Sequence, residues 1–130
     1  MLLVLDFESD IPIYTQICNQ VMLGIAKGEL LPDEPLPSVR QLASDLEINM
    51  HTVNKAYGIL KNDGLVAIHK KKGVVIKKRE DMKADESFSN SLLQRLEPVV
   101  AEAICKGVDE KRFLRLISTI FTSLKSGGQR

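Results

Sequence analysis

The sequence predicts a mainly α-helical chain carrying one small β-hairpin, and three observations predict it. Apolar residues recur at three- and four-residue spacing in several separate segments, each the mark of a helix with one buried stripe. Between residues 65 and 78 the period changes: "LVAIH" and "GVVIKK" are short β-branched runs separated by "KKK", the pattern of two strands and a turn. The chain has 130 residues, of which 44% are hydrophobic and 27% charged, so it can bury a core without disulfides.

At the N-terminus, "LLVLDF" reads either as a strand or as an extended arm. "SDIPIY" offers Ser9 or Asp10 as a helix cap before Pro12, a residue suited to a first turn. Ile13, Ile17, Val21 and Ile25 then give one stripe of a helix of about four turns, with Tyr14 beside them. Gly28 stops it, and "LLPDEPLP" is a proline-rich connector. The second helix carries a capping box, Ser38 with Gln41 three residues on, and buries Val39, Leu42, Ala43 and Leu46. Asn49 caps a third helix whose core face is Val53, Ala56, Tyr57 and Leu60. "NDG", residues 62–64, ends it.

The hairpin follows, with a lysine tip whose turn type stays open because the spacing does not give a two-residue turn. "KREDMKADES" is a charged connector. Phe88, Leu92, Leu96, Val99, Val100, Ala103 and Ile104 trace a fourth helix, kinked or begun near Pro98. After Gly107, Asp109 caps a fifth, traced by Phe113, Leu116, Ile117, Ile120, Phe121 and Leu124. The order divides the chain into a domain at 1–78, a connector at 79–87, a helical tail at 88–125 and a frayed end at 126–130. Two short helices joined by a tight turn and followed by a hairpin make a winged helix-turn-helix.

Bulk composition excludes several function classes. The N-terminal apolar run is too short for a signal peptide, and no segment reaches the length of a membrane span. The expected location is the cytoplasm. Cys18 and Cys105 match no metal or redox spacing and read as small apolar fillers on helices. There is no glycine-rich phosphate loop, nucleophile elbow or metal-ligand cluster, so neither an enzyme nor a cofactor is expected.

Net charge is only +1, but it is unevenly placed. Residues 1–37 hold one basic and six acidic residues; residues 38–79 hold nine basic and three acidic; residues 80–130 hold eight of each. A basic middle suits a polyanion, although a solvated face would look the same.

The start of the third helix is the candidate reading surface. With its core face assigned, Asn49, Met50, His51, Thr52, Asn54 and Lys55 are left at or near the exposed start. Asn pairs with adenine, Thr and Met touch a thymine methyl, and His donates to guanine acceptors. The competing reading is a plain N-cap followed by a solvated turn. Arg40 sits in the first turn of the second helix, where a cation opposes the helix dipole. A phosphate contact explains it, as does a surface ion pair; Ser38 and the helix N-terminus can serve the same phosphate. Lys70, Lys71 and Lys72 suit phosphates or a minor groove. They also suit an edge hairpin blunted against aggregation.

The segment "PIYTQICNQVMLGIAKGELLPDEPLPSVRQLASDLEINMHTVNKAYGILKNDGLV" resembles the DNA-binding domain of the GntR family of bacterial transcriptional regulators. The resemblance covers residues 10–78 and is most specific at "PIYTQI", "LPSVRQLA" and "TVNKAYGILKNDGL". It implies a winged helix-turn-helix that binds a near-palindromic, double-stranded operator as a dimer; the function expected from the whole sequence is that of a homodimeric repressor. It also implies DNA contacts from Arg40, from Asn49, Met50, His51, Thr52 and Asn54, and from Lys70 and Lys71 at the wing tip. Two departures stand out. Many members carry arginine where this chain has Met50 or Asn54, so the sequence read should differ. The wing usually has two glycines, and here Lys71 replaces the first, leaving Gly73.

The tail, about fifty residues, is too short for a large effector domain. It looks like that of the YtrA subfamily, which implies a dimerisation element and targets that often include transporter genes. The physical pattern agrees, since two amphipathic helices cannot bury both stripes alone. Phe88, Leu92, Leu96, Val100, Phe113, Leu116, Ile117, Ile120 and Phe121 are the expected dimer contacts; packing back on the first helix is the alternative. Whether a small-molecule effector binds is left open. A protein–protein adaptor using the basic hairpin on an acidic partner is the rival function.

Overall fold

The computed structural model describes residues 1 and 3–128. Its elements are α1 (Ile13–Ala26), α2 (Val39–Leu46), α3 (Met50–Asn62), β1 (Val66–His69), β2 (Gly73–Ile76), a 3-10 turn (Arg79–Asp81), α4 (Glu86–Cys105) and α5 (Glu110–Gly128). The architecture is mostly helical with one antiparallel hairpin, as the periodicities predict.

The N-terminal run is an extended arm rather than a strand. Two glutamines one turn apart on α1 hold it. Gln16 Oε1 accepts the Asp6 amide at 2.8 Å, and its Nε2 donates to the Asp6 and Ile11 carbonyls at 2.9 Å. Gln20 makes the same reciprocal pair with Val4. These side chains replace the strand neighbour that the arm lacks, and they satisfy the one buried polar residue of the core, Gln16. Neither Ser9 nor Asp10 caps α1. Pro12 occupies that position without a side-chain bond, and Ser9 Oγ accepts the Ile11 amide instead.

The core lies where α1 and α2 pack on α3 and the hairpin closes one end. Ile17, Val21, Val53, Ala56, Leu60 and Ile76 are completely buried, each of the larger ones worth about 1.5–3 kcal/mol relative to exposure. Cys18 fills a gap in this core, its thiol donating to the Ala56 carbonyl at 3.3 Å. Burial, and after it the charge of Asp63, pushes that thiol up from its usual 9.0. Cys105 departs from the expectation of a filler: it is exposed at the end of α4, a helix with no fully buried residue.

The hairpin pairs Val66 with Ile76 and His69 with Gly73. The proline-rich connector is more than a linker, since Pro35 bridges to Val75. Asp33 and Leu36 donate to the Ile76 and Val74 carbonyls, and the Ile76 amide donates to Glu34, at 2.8–2.9 Å. The connector thus acts as a third, irregular strand and fixes the hairpin to the helices. Arg79 reinforces this, its Nη2 donating to the Ile25 carbonyl at the end of α1.

Both tail helices are capped by aspartate: Asp85 accepts from Phe88 and Asp109 from Arg112, each at 2.8 Å. α4 continues through Pro98 without a break. α5 lies against α1 and extends through Gly128; the last two residues of the expected frayed end lie outside the described residues.

Candidate nucleic-acid interface

The interface is built on the turn between α2 and α3. Ser38 caps α2, its Oγ accepting the Gln41 amide at 3.0 Å. The reciprocal half of the predicted capping box does not form, because Gln41 Nε2 donates to Asp45 at 2.6 Å, one turn further on. Arg40 stands exposed in the first turn. The turn itself is made by Glu47, at φ 55 and ψ 46 in left-handed backbone, whose amide bonds back to Ala43 and Ser44. That reversal aims α3 away from α2.

α3 begins at Met50, with Asn49 as its cap: Asn49 Oδ1 accepts the His51 amide at 2.7 Å. The cap uses one lone pair of that oxygen, which leaves the second lone pair and the two Nδ2 protons of Asn49 to be offered. Met50, His51 and Asn54 are exposed, and Thr52 is half-buried. The opposite face, Val53, Ala56, Tyr57 and Leu60, is buried as the spacing predicts. Tyr57 also fixes the approach to α2, its hydroxyl donating to the Pro37 carbonyl at 2.7 Å. Burial pushes that phenol well above its usual 10.0, so it stays a donor at neutral pH. Nothing in the periodicity signals this bond, because its partner lies in another element.

Lys55 is exposed but tethered: its ammonium sits over the Tyr14 ring, 4.1 Å from the centroid. This ties α3 to the start of α1, within the "PIYTQI" segment. The wing lies beside α3 across a groove of about 130 Å³ lined by Asn54, Lys61, Ile68 and Val74 among others. Lys70, Lys71 and Lys72 form an exposed three-residue tip. Two residues were not singled out from sequence: Lys61 on the groove, and His69, whose ring bonds the tip. Adjacency to the lysines is the only signal that His69 offered.

The expected dimer residues lie elsewhere. Phe88, Leu92, Leu96, Val100, Leu116, Ile120 and Phe121 are exposed, and Phe113 and Ile117 are half-buried. Leu93 and Leu114, absent from the expected set, are also exposed. Among the described residues, no group of three His, Cys, Asp or Glu side chains is placed to hold a metal, and no helix is long and apolar enough to cross a membrane.

Comparison with known proteins agrees with this geometry. Residues 13–76 match the family of bacterial regulatory proteins described as the gntR family. The HTH-type transcriptional repressor YtrA of Bacillus subtilis (strain 168) is 30% identical over 123 residues, 95% of this chain and 95% of that protein. A solved structure of YtrA from Sulfolobus acidocaldarius, a GntR-family transcription factor, is 36% identical, covers 93% of this chain and 97% of its own, and has a TM-score of 0.59. A transcriptional antiterminator from Listeria monocytogenes EGD-e shares the fold, with a TM-score of 0.85 at 24% identity over 95% of this chain and 92% of that one. The chain belongs to the GntR family of bacterial regulatory proteins, and is a DNA-binding transcriptional regulator of that family rather than an enzyme.

Proposed function

We propose that the protein is a cytoplasmic repressor that binds a near-palindromic operator as a homodimer. Residues 1–78 read the DNA and residues 88–125 join the two copies. The observation that carries this reading is the division of chemistry across the interface. The start of α3, with Met50, His51 and Asn54 exposed and Thr52 half-buried, offers no Lys, Arg, Asp or Glu, while the flanking Arg40 and the tip lysines are cationic. Neutral groups suit discrimination between base edges, and cations suit phosphates. Ser38, Asn49 and Lys55 support the same surface: the first two by capping the helices, the third as a tethered cation. The naming of the Bacillus subtilis relative as a repressor supports the direction of regulation.

Selection of bound sequences from random duplex DNA tests this reading. Two inverted half-sites about one helical turn apart are expected; a single unpaired half-site would overturn the dimeric mode. On the selected site, His51→Ala should cost about 1–3 kcal/mol and relax preference at one or two base pairs. Lys71→Ala should weaken every sequence alike and reduce the salt slope by about one. A His51 variant that weakens all sequences equally removes its base-reading role.

A further inference from the structure

The wing tip is short of the residue that usually makes such a turn easy. Three lysines link the paired residues His69 and Gly73, and the one glycine lies at the far end, where φ is +79. The near end is organised by a side chain instead. The backbone amides of Lys71 and Lys72 both donate to His69 Nδ1, at 3.1 and 3.2 Å. A backbone N–H can only donate, so Nδ1 must present a lone pair. The imidazole is then neutral, with its proton on Nε2.

We propose that His69 is a positioning residue for DNA binding: its Nδ1 shapes the tip so that the ammonium groups of Lys70, Lys71 and Lys72 are presented together to phosphates. The role rests on the DNA-binding reading above, but the hydrogen-bonded turn does not. The charged groups next to the ring along the chain are the three tip lysines, all cations; Lys61 lines the groove on the Ile68 side of the hairpin, the face opposite to His69. From β2, the opposed Gly73 and the next two residues, Val74 and Val75, bring no charge. A second proton on the ring removes the only acceptor of both amides and adds a cation among cations. The turn therefore needs the ring in its singly protonated, neutral form.

Nitrogen-15 NMR of the full chain tests the turn without DNA. Above neutral pH, His69 should carry its proton on Nε2, and the Lys71 and Lys72 amide resonances should titrate together with the ring. Nδ1 found protonated, or amides indifferent to the ring, overturns the proposal. Binding to a random-sequence duplex at varied salt tests the consequence. His69→Ala should lower the salt slope by about one, and adding Lys71→Ala should lower it little further. His69→Asn should restore the wild-type slope, because an asparagine oxygen can accept an amide two residues on. A wild-type slope in His69→Ala, or no rescue by His69→Asn, sinks the positioning role. Absence of any salt-dependent duplex binding by the wild type instead sinks the DNA-binding reading, and the positioning role with it; the NMR result still judges the turn. His69 is exposed, so neither variant should disturb the core, which circular dichroism checks.

Discussion

The two halves of the chain put similar amounts of apolar material to opposite use. In the winged-helix body, stripes on α1, α2, α3 and the hairpin close on one another, and their central residues have no exposure. In the tail, the stripes are as regular, yet Leu93, Ile104 and Phe121 remain 60–68% exposed. α5 meets α1 on one side only, and in proteins most of a helix's stability comes from packing its apolar face, which here is left largely open. The difference teaches that periodicity specifies a helix and its sticky face, but not whether the same chain supplies the cover. For the body it does; for the tail the proposed cover is a second copy.

Paired substitutions break or sharpen that contrast. Leu60 is completely buried on α3, so Leu60→Ala should cost about 2–5 kcal/mol, read as a lowered urea midpoint at any protein concentration. Phe121→Asp should leave the unfolding of the body near wild type in dilute solution and shift sedimentation towards monomer. A body destabilised by Phe121→Asp as much as by Leu60→Ala would mean that the tail belongs to the same core.

A smaller effect probes how the body holds α2 and α3 together. Tyr57→Phe removes the bond to the Pro37 carbonyl and should cost about 1 kcal/mol. It should also change the response to alkali. Burial raises the Tyr57 phenol above 10.0 and the Cys18 thiol above 9.0, so folding favours the protonated form of each. That contribution is complete below those values and is lost as pH rises past them. Wild-type stability should therefore decline from about pH 9 upward, and Tyr57→Phe should flatten the steeper part. An unchanged decline assigns it to other groups.

Legibility in the sequence follows the range of the interaction. Ser38, Asn49 and Asp109 were readable as caps because a cap and its partner lie two or three residues apart. The buried face of α3 was readable from spacing alone. Lys55 over Tyr14, Arg79 on the Ile25 carbonyl and Pro35 beside Val75 join residues dozens apart; no local pattern marks them. The capping box failed halfway for a local reason: Asp45, four residues after Gln41, offered a charged acceptor on the same helix face. Cys105 was misread as a filler because a small apolar residue at helical spacing looks the same whether or not a neighbour covers it.

The smallest effect separates the two turns that set helix directions. The tail turns between α4 and α5 at Gly107, φ +79, where glycine bears no steric penalty. The body turns between α2 and α3 at Glu47, φ 55, where an L side chain costs roughly 1–2 kcal/mol. Glu47→Gly relieves that cost but enlarges the unfolded ensemble, by about 0.5–1 kcal/mol. The balance should be a gain of about 0.5 kcal/mol in urea unfolding. The amide bonds to Ala43 and Ser44 persist in the variant, because they need only the backbone. Affinity for the selected site should stay within twofold. If instead the variant is more stable but binds less tightly, the glutamate holds α3 at its angle through the stiffness of its own backbone. The strain at Glu47 then belongs to recognition rather than to folding.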